Sequence, residues 1–181
     1  MRYPVVFNST DRRVELTGEA YFEVAKDKSR AFKVITNTQQ VQVLGTKFNI
    51  NAYPDEQSIK TTLLEGSVHV GLINKGAGPL LKPGEQATLA NQQFKVTTVD
   101  TEEFISWKDG YFLFNNEPIN TAMRKLARWY DVEVVYEGDF KDINFGGTVF
   151  KSNSLKKTLK LLEATNRLKF KVEGRRISVM K

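Results

Sequence analysis

FLFNNEPINTAMRKLARWYDVEVVYEG and TVFKSNSLKKTLKLLEATNRLKFKVEG lie 36 residues apart and align without a gap. Leu113 meets Val149, Phe114 meets Phe150, Ile119 meets Leu155, Met123 meets Leu159 and Leu126 meets Leu162. Further on, Val132 meets Leu168, Val134 meets Phe170, Tyr136 meets Val172 and Gly138 meets Gly174. Agreement in both apolar positions and glycines marks a duplication, so one supersecondary unit must be built twice. Ile119, Met123 and Leu126 have the i, i+4, i+7 spacing of one helical face, and Leu155, Leu159 and Leu162 repeat it. Pro118 suits the first turn of the first helix, and Asn153 or Ser154 can cap the second. Alternating segments flank each helix, so each copy reads as strand, helix, strand. ISVM then adds one more strand after the Gly174–Arg175–Arg176 turn.

Before the repeat the apolar period is two. Ala20, Phe22 and Val24 share one face of their segment, as do Val41 and Val43, Val68 and Val70, and Phe94 and Val96. Turn-forming stretches such as DKS, TNTQ, YPDEQ, NKGAG, KPGE and ANQ separate these short runs. Short strands at this spacing predict an all-β solenoid or sandwich. In VLGTKFNINAY, Asn49 and Asn51 alternate with apolar residues and read as the polar face of a half-buried strand. Thr101-Glu102-Glu103 open a short helix, with Asp100 or Thr101 as N-cap. The expected fold class is mainly β plus α+β. An all-β subdomain over 1–109 precedes a duplicated βαβ subdomain over 110–181, with the boundary near Asp109–Gly110.

The residue inventory narrows the chemistry. There is no Cys, so disulfides and thiolate chemistry are excluded. His69 is the only histidine, which leaves too few ligands for the usual transition-metal sites. Strand alternation turns it to solvent. Glu19 and Glu23 could share a strand face, and Glu102 and Glu103 are explained by a helix start. Neither pair comes with a convergent set of catalytic roles, so the chain reads as non-enzymatic. KGAGP lacks phosphate-loop spacing, and no cofactor is expected. No run approaches the roughly 18 apolar residues of a spanning helix. The opening RYPVVFNSTDRRVELTGEAYF reads as the interior of a longer protein.

Charge is uneven. The net of +6 divides into +1 over residues 1–108, −3 over 109–144 and +8 over 145–181. Lys156, Lys157 and Lys160 fall on the polar side of the second predicted helix, and Arg175 and Arg176 follow in the turn. A field of this density steers acidic partners. Nucleic acid is a competing reading. Against it, Phe170 is the one aromatic in LKFKV, and periodicity assigns it to the core.

Over residues 13–181 the chain resembles the extracytoplasmic region of a FecR-family anti-sigma factor. The resemblance is carried by GEAYFEV, FKVITNTQQVQVLGTKFNINAY, TTLLEGSVHV and LLKPGEQATL, then by WKDGYFLFNNEPINTAMRKLARWYDVEVVYEG and the trailing βαβ unit. The βαβ pair is similar to the short domain of secretins and TonB-dependent transducers. The resemblance implies a periplasmic signal-receiving region of a single-pass inner-membrane protein. Its implied partner is the N-terminal signalling domain of an outer-membrane TonB-dependent transporter. The sigma factor and the membrane would be reached only through a cytoplasmic segment and a transmembrane helix absent from this sequence. A carbohydrate-binding module, or a basic RNA-binding domain, is the alternative. The residues expected to contact the partner are Lys156, Lys160, Arg175, Arg176, Ile177 and Val179. The last two belong to a terminal strand expected at a sheet edge.

Overall fold

The computed structural model describes residues 1–7, 11–165 and 168–181. These form two compact units, Met1–Ile105 and Ser106–Lys181. The first unit is a sandwich of two five-stranded sheets, as its period-two pattern requires. One sheet runs β1 (Asp11–Glu15), β3 (Ala31–Ile35), β4 (Gln39–Val43), β7 (Val68–Leu72), β8 (Gly76–Leu81). The other runs β2 (Gly18–Glu23), β5 (Lys47–Ala52), β6 (Ile59–Glu65), β9 (Glu85–Ala90), β10 (Gln93–Thr98). Hairpins alternate between the sheets, so the chain advances along both together in successive layers. All neighbours are antiparallel except β1 and β3.

Alternate residues meet between the sheets. Val34, Val41 and Val70 from one face Phe48, Ile50 and Leu63 from the other, all fully buried. Phe22 stacks on Phe48 with centroids 5.0 Å apart. Gln39 is also buried, and its Nε2 donates to Thr61 Oγ1 across the gap at 2.7 Å. This bond offsets part of the cost of carrying an amide into the core. Gly66 closes the β6–β7 turn at φ 94°, where a Cβ would lie 2.9 Å from Gly45 O. Asn49 departs from the half-exposed position its alternation predicts. It is buried at 2% exposure and donates to Glu19 Oε1 at 2.8 Å.

A short helix, α1 (Glu102–Ile105), ends the first unit, with Asp100 Oδ1 accepting from the Glu102 N–H at 3.0 Å. The seam falls at Ile105–Ser106, ahead of Asp109–Gly110. Ser106 is buried and accepts from the Leu113 N–H at 3.2 Å, which ties the 3₁₀ turn Ser106–Asp109 to the second unit.

The second unit contains both repeats. They are β11 (Tyr111–Pro118), α2 (Ile119–Tyr130), β12 (Glu133–Tyr136) and β13 (Asn144–Phe150), α3 (Leu155–Thr165), β14 (Lys169–Glu173). β15 (Arg176–Met180) follows. The first strands of the repeats pair antiparallel with each other. The last strands do not touch, because β15 lies between them, parallel to β12 and antiparallel to β14. Ile119, Met123 and Leu126 of α2 and Leu159 and Leu162 of α3 bury into one core with Leu168, Ile177 and Val179. Ser154 caps α3, accepting from the Lys157 N–H at 3.3 Å.

The 36-residue register holds through the helices and last strands but slips in the first strands. Phe114 is buried at 2%, whereas its counterpart Phe150 is 55% exposed. Leu113 is half-buried while its counterpart Val149 is fully buried. The cause is a bulge after Phe114, with Asn116 at φ 49°, which turns β11 over by one residue.

Leu126→Ala and Leu162→Ala are each expected to cost about 2–5 kcal/mol as buried truncations. Phe114→Ala is expected to cost about 3–5 kcal/mol, against about 0.5 or less for Phe150→Ala. Equal losses for the two phenylalanines in urea denaturation would refute the slipped register.

Candidate partner-binding surface

The +8 segment folds into most of β13, then α3, β14 and β15. Amphipathic spacing turns Leu159 and Leu162 inward and leaves Lys156, Lys157 and Lys160 exposed. None of these three lysines has an ion pair among the described residues. Arg175 and Arg176 are differently placed. Arg175 pairs with Asp131 and also donates to its carbonyl, while Arg176 pairs with Glu133 at 3.4 Å. Both arginines therefore fasten the β14–β15 turn to the start of β12, at exposed positions where such pairs are worth little.

Ile177 and Val179 are not edge residues. β15 is hydrogen-bonded on both sides, and their side chains are 1% and 0% exposed. Sequence order placed the strand last, but β12 and β14 leave a gap between them that it fills. Neither residue can meet a partner while the unit is folded.

The outer strands of this sheet are β12 and β14. On β14, Lys169, Lys171 and Glu173 are exposed. The hydrogen bond from Lys171 to Glu173 raises the lysine's pKa and lowers the glutamate's. The Phe170 N–H points away from β15 and donates to Glu163 Oε1 of α3 at 3.0 Å. Backbone alternation then turns the Val172 N–H outward as well. Val172 itself is 46% exposed.

A second feature lies where β13 runs into α3. Lys151 Nζ sits 4.2 Å from the Trp129 ring centroid, 5.0 Å from Phe112 and 5.4 Å from Trp107. Trp129 Nε1 donates back to the Lys151 carbonyl at 3.2 Å. Next to it, Tyr130 Oη donates to Asn153 O at 2.8 Å, anchoring the end of α2 to the same turn. Trp129 remains 46% exposed and Phe150 55% exposed. Tyr130 is thus tied down at the helix end, whereas Trp129 keeps an open face. Helical spacing carries no signal for it, since Trp129 follows buried Leu126 by three residues and buried Ala122 by seven.

The arrangement offers charge, aromatic surface and open backbone. Among the described residues no group of three His, Asp or Glu is placed to hold a metal ion. Glu19 serves Asn49, and the His69 ring is half-exposed on β7.

Residues 2–69 match the family described as FecR protein, and residues 111–179 match FecR, C-terminal. Two crystal structures of a proposed anti-sigma factor from Parabacteroides distasonis ATCC 8503, at 1.65 Å and 2.50 Å resolution, have the same fold. Both are 29% identical in sequence. Their TM-scores are 0.88 and 0.87, over 99% of this chain and 85% and 84% of theirs. No curated protein matches.

Deletion of residues 177–181 is expected to abolish the folded core of the second unit, because Ile177 and Val179 leave with it. Amide spectra of the shortened chain test this. Retained native dispersion for residues 111–173 would return β15 to a dispensable edge role.

Proposed function

Because this chain belongs to the FecR family of anti-sigma factors, we propose that it is the periplasmic signal-receiving region of such a regulator. We propose further that its second unit binds the signalling domain of an outer-membrane TonB-dependent transporter. The family relays signals and is a regulatory, non-enzymatic class whose members are membrane-anchored with periplasmic regions. No helix among the described residues is long and apolar enough to cross a membrane. The observation that carries the partner reading is the free cationic face of α3. Three exposed lysines without internal counter-charges leave a local field for an acidic surface to answer.

Contact then divides into two tasks. Exposed lysines act over distance and govern encounter, while short-range groups govern how long the complex lasts. The short-range groups at hand are the outward amide of Val172 on β14 and the exposed rings of Trp129 and Phe150. A strand laid along β14 would gain backbone bonds at Val172, in the manner of β-augmentation. Trp129 is the residue type that most often dominates a protein interface, and its indole is already oriented by Lys151.

Lys156→Glu combined with Lys160→Glu is expected to slow association with the cognate signalling domain by about tenfold or more at low salt, with little change in dissociation. Surface-immobilised kinetics at two salt concentrations check it, and an unchanged association rate at low salt removes the steering role.

Val172→Pro removes one outward N–H at an edge position that tolerates proline. It is expected to speed dissociation of the same complex while the melting transition of the chain stays in place. Unaltered dissociation would move the contact off β14.

A further inference from the structure

At one end of the sandwich the β3–β4, β5–β6 and β9–β10 turns converge around an open cleft of about 740 Å³. Leu16, Ile59 and Leu89 form part of its apolar floor, where the core of the sandwich comes to the surface. The exposed turn residues Asn37, Thr38, Gln57, Asn91 and Gln92 and the half-buried Tyr53 also line it. We infer that this cleft binds a neutral oligosaccharide.

Four observations support the assignment. The first is charge. The chain has 27 lysines and arginines, yet among the described residues none lines the cleft, while Glu15 and Glu56 do. An anionic ligand would find no lysine or arginine among these lining residues to answer its charge. Lys75 and Arg13 reach lining residues from outside: Lys75 donates to Gln92 Oε1 at 2.5 Å, which leaves the Gln92 amide nitrogen as donor, and Arg13 pairs with Glu15 at 3.6 Å.

The second observation is the type of polar group. Amides and hydroxyls both donate and accept, which suits ligand hydroxyls that do the same. An apolar floor with an aromatic ring suits the C–H faces of a sugar. A mixed surface of this kind fits a ligand that is amphipathic in cross-section and uncharged.

Third, the rim is held in place before any ligand arrives. Thr36 and Gln39 exchange backbone and side-chain bonds at 2.9–3.1 Å, which fixes Asn37 and Thr38 between them. Thr38 O accepts from the Ile73 N–H at 3.1 Å. Tyr53 O accepts from the Glu56 N–H at 3.2 Å, and its ring lies so close to Gly18 that a Cβ there would be 3.3 Å from it. Asn91 and Gln92 both take left-handed backbone conformations, φ 48° and 63°. Preorganisation of this kind reduces the entropy lost on binding.

Fourth, size is adequate. A cleft of about 740 Å³ lies within the range of ligand sites, and its open form admits a chain rather than a single ring.

The test is amide chemical-shift mapping on the full chain with maltohexaose, xylohexaose and chitohexaose as probes, and a heparin hexasaccharide as the anionic control. Saturable shifts at residues 36–38, 53–58 and 91–92 with at least one neutral probe, and none with heparin, are expected. Tyr53→Ala is expected to weaken that binding by about tenfold, and Tyr53→Phe to leave it nearly intact. Thermal melts establish that each variant folds. Asn37→Ala with Asn91→Ala provides a second folded variant, expected to weaken binding comparably. Preference for heparin, or no localised shift with any neutral probe, overturns the assignment. So does full-strength binding by folded Tyr53→Ala and by the double variant. Binding by the signalling domain is measured separately at the α3 lysines, so loss of one reading leaves the other standing.

Discussion

The second unit depends on one strand being hydrogen-bonded on both sides. Without β15, β12 and β14 would each present an unpaired backbone, and the apolar faces of α2 and α3 would lack Ile177 and Val179 beneath them. A duplicated βαβ motif brings its two last strands to the same side but leaves them separated. β15 supplies the missing width, parallel to one neighbour and antiparallel to the other. This makes the two repeats unequal in environment although their sequences align. It also explains why Arg175 and Arg176 spend their charge on Asp131 and Glu133. Both pairs lie beside the turn that launches the inserted strand.

Much of this was legible in the sequence. Period-two alternation predicted the strands of the first unit, and the i, i+4, i+7 sets predicted both helices with their buried faces. Those patterns are local, and local steric and burial rules generate them. What was not legible is non-local. Nothing in ISVM states whether it will lie beside one strand or between two. Nothing in the aligned repeats announces that Asn115–Asn116 will bulge, because both asparagines also suit an ordinary strand end. The consequence is large for two residues. Phe150, matched to a core phenylalanine, stands in solvent, while Val149 takes the buried place.

The two candidate surfaces differ in the same way. The lysines of α3 could be read from helical spacing and the charge count alone. The cleft of the first unit could not. Its rim comes from TNT, YPDEQS and ANQ, which read in sequence as separate turns between strands. Only the alternation of hairpins between two sheets gathers these turns at one end. Asn49 shows a related limit. A period of two assigns a side chain to a face, but not whether that face is open, and here it is closed.

The bond from the Phe170 N–H to Glu163 bears on how the molecule behaves among copies of itself. An exposed strand edge invites pairing between like chains, a route to aggregation. On β14, one outward amide is already satisfied by a carboxylate of the same chain. A second copy arriving in register would have to break that bond twice, once on each molecule. It would also bring Lys169 and Lys171 close to their own duplicates, a repulsive meeting. A foreign strand with acidic side chains meets no such repulsion. An edge with one outward amide satisfied within its own chain is a poorer template for pairing with a copy of itself than a fully open one.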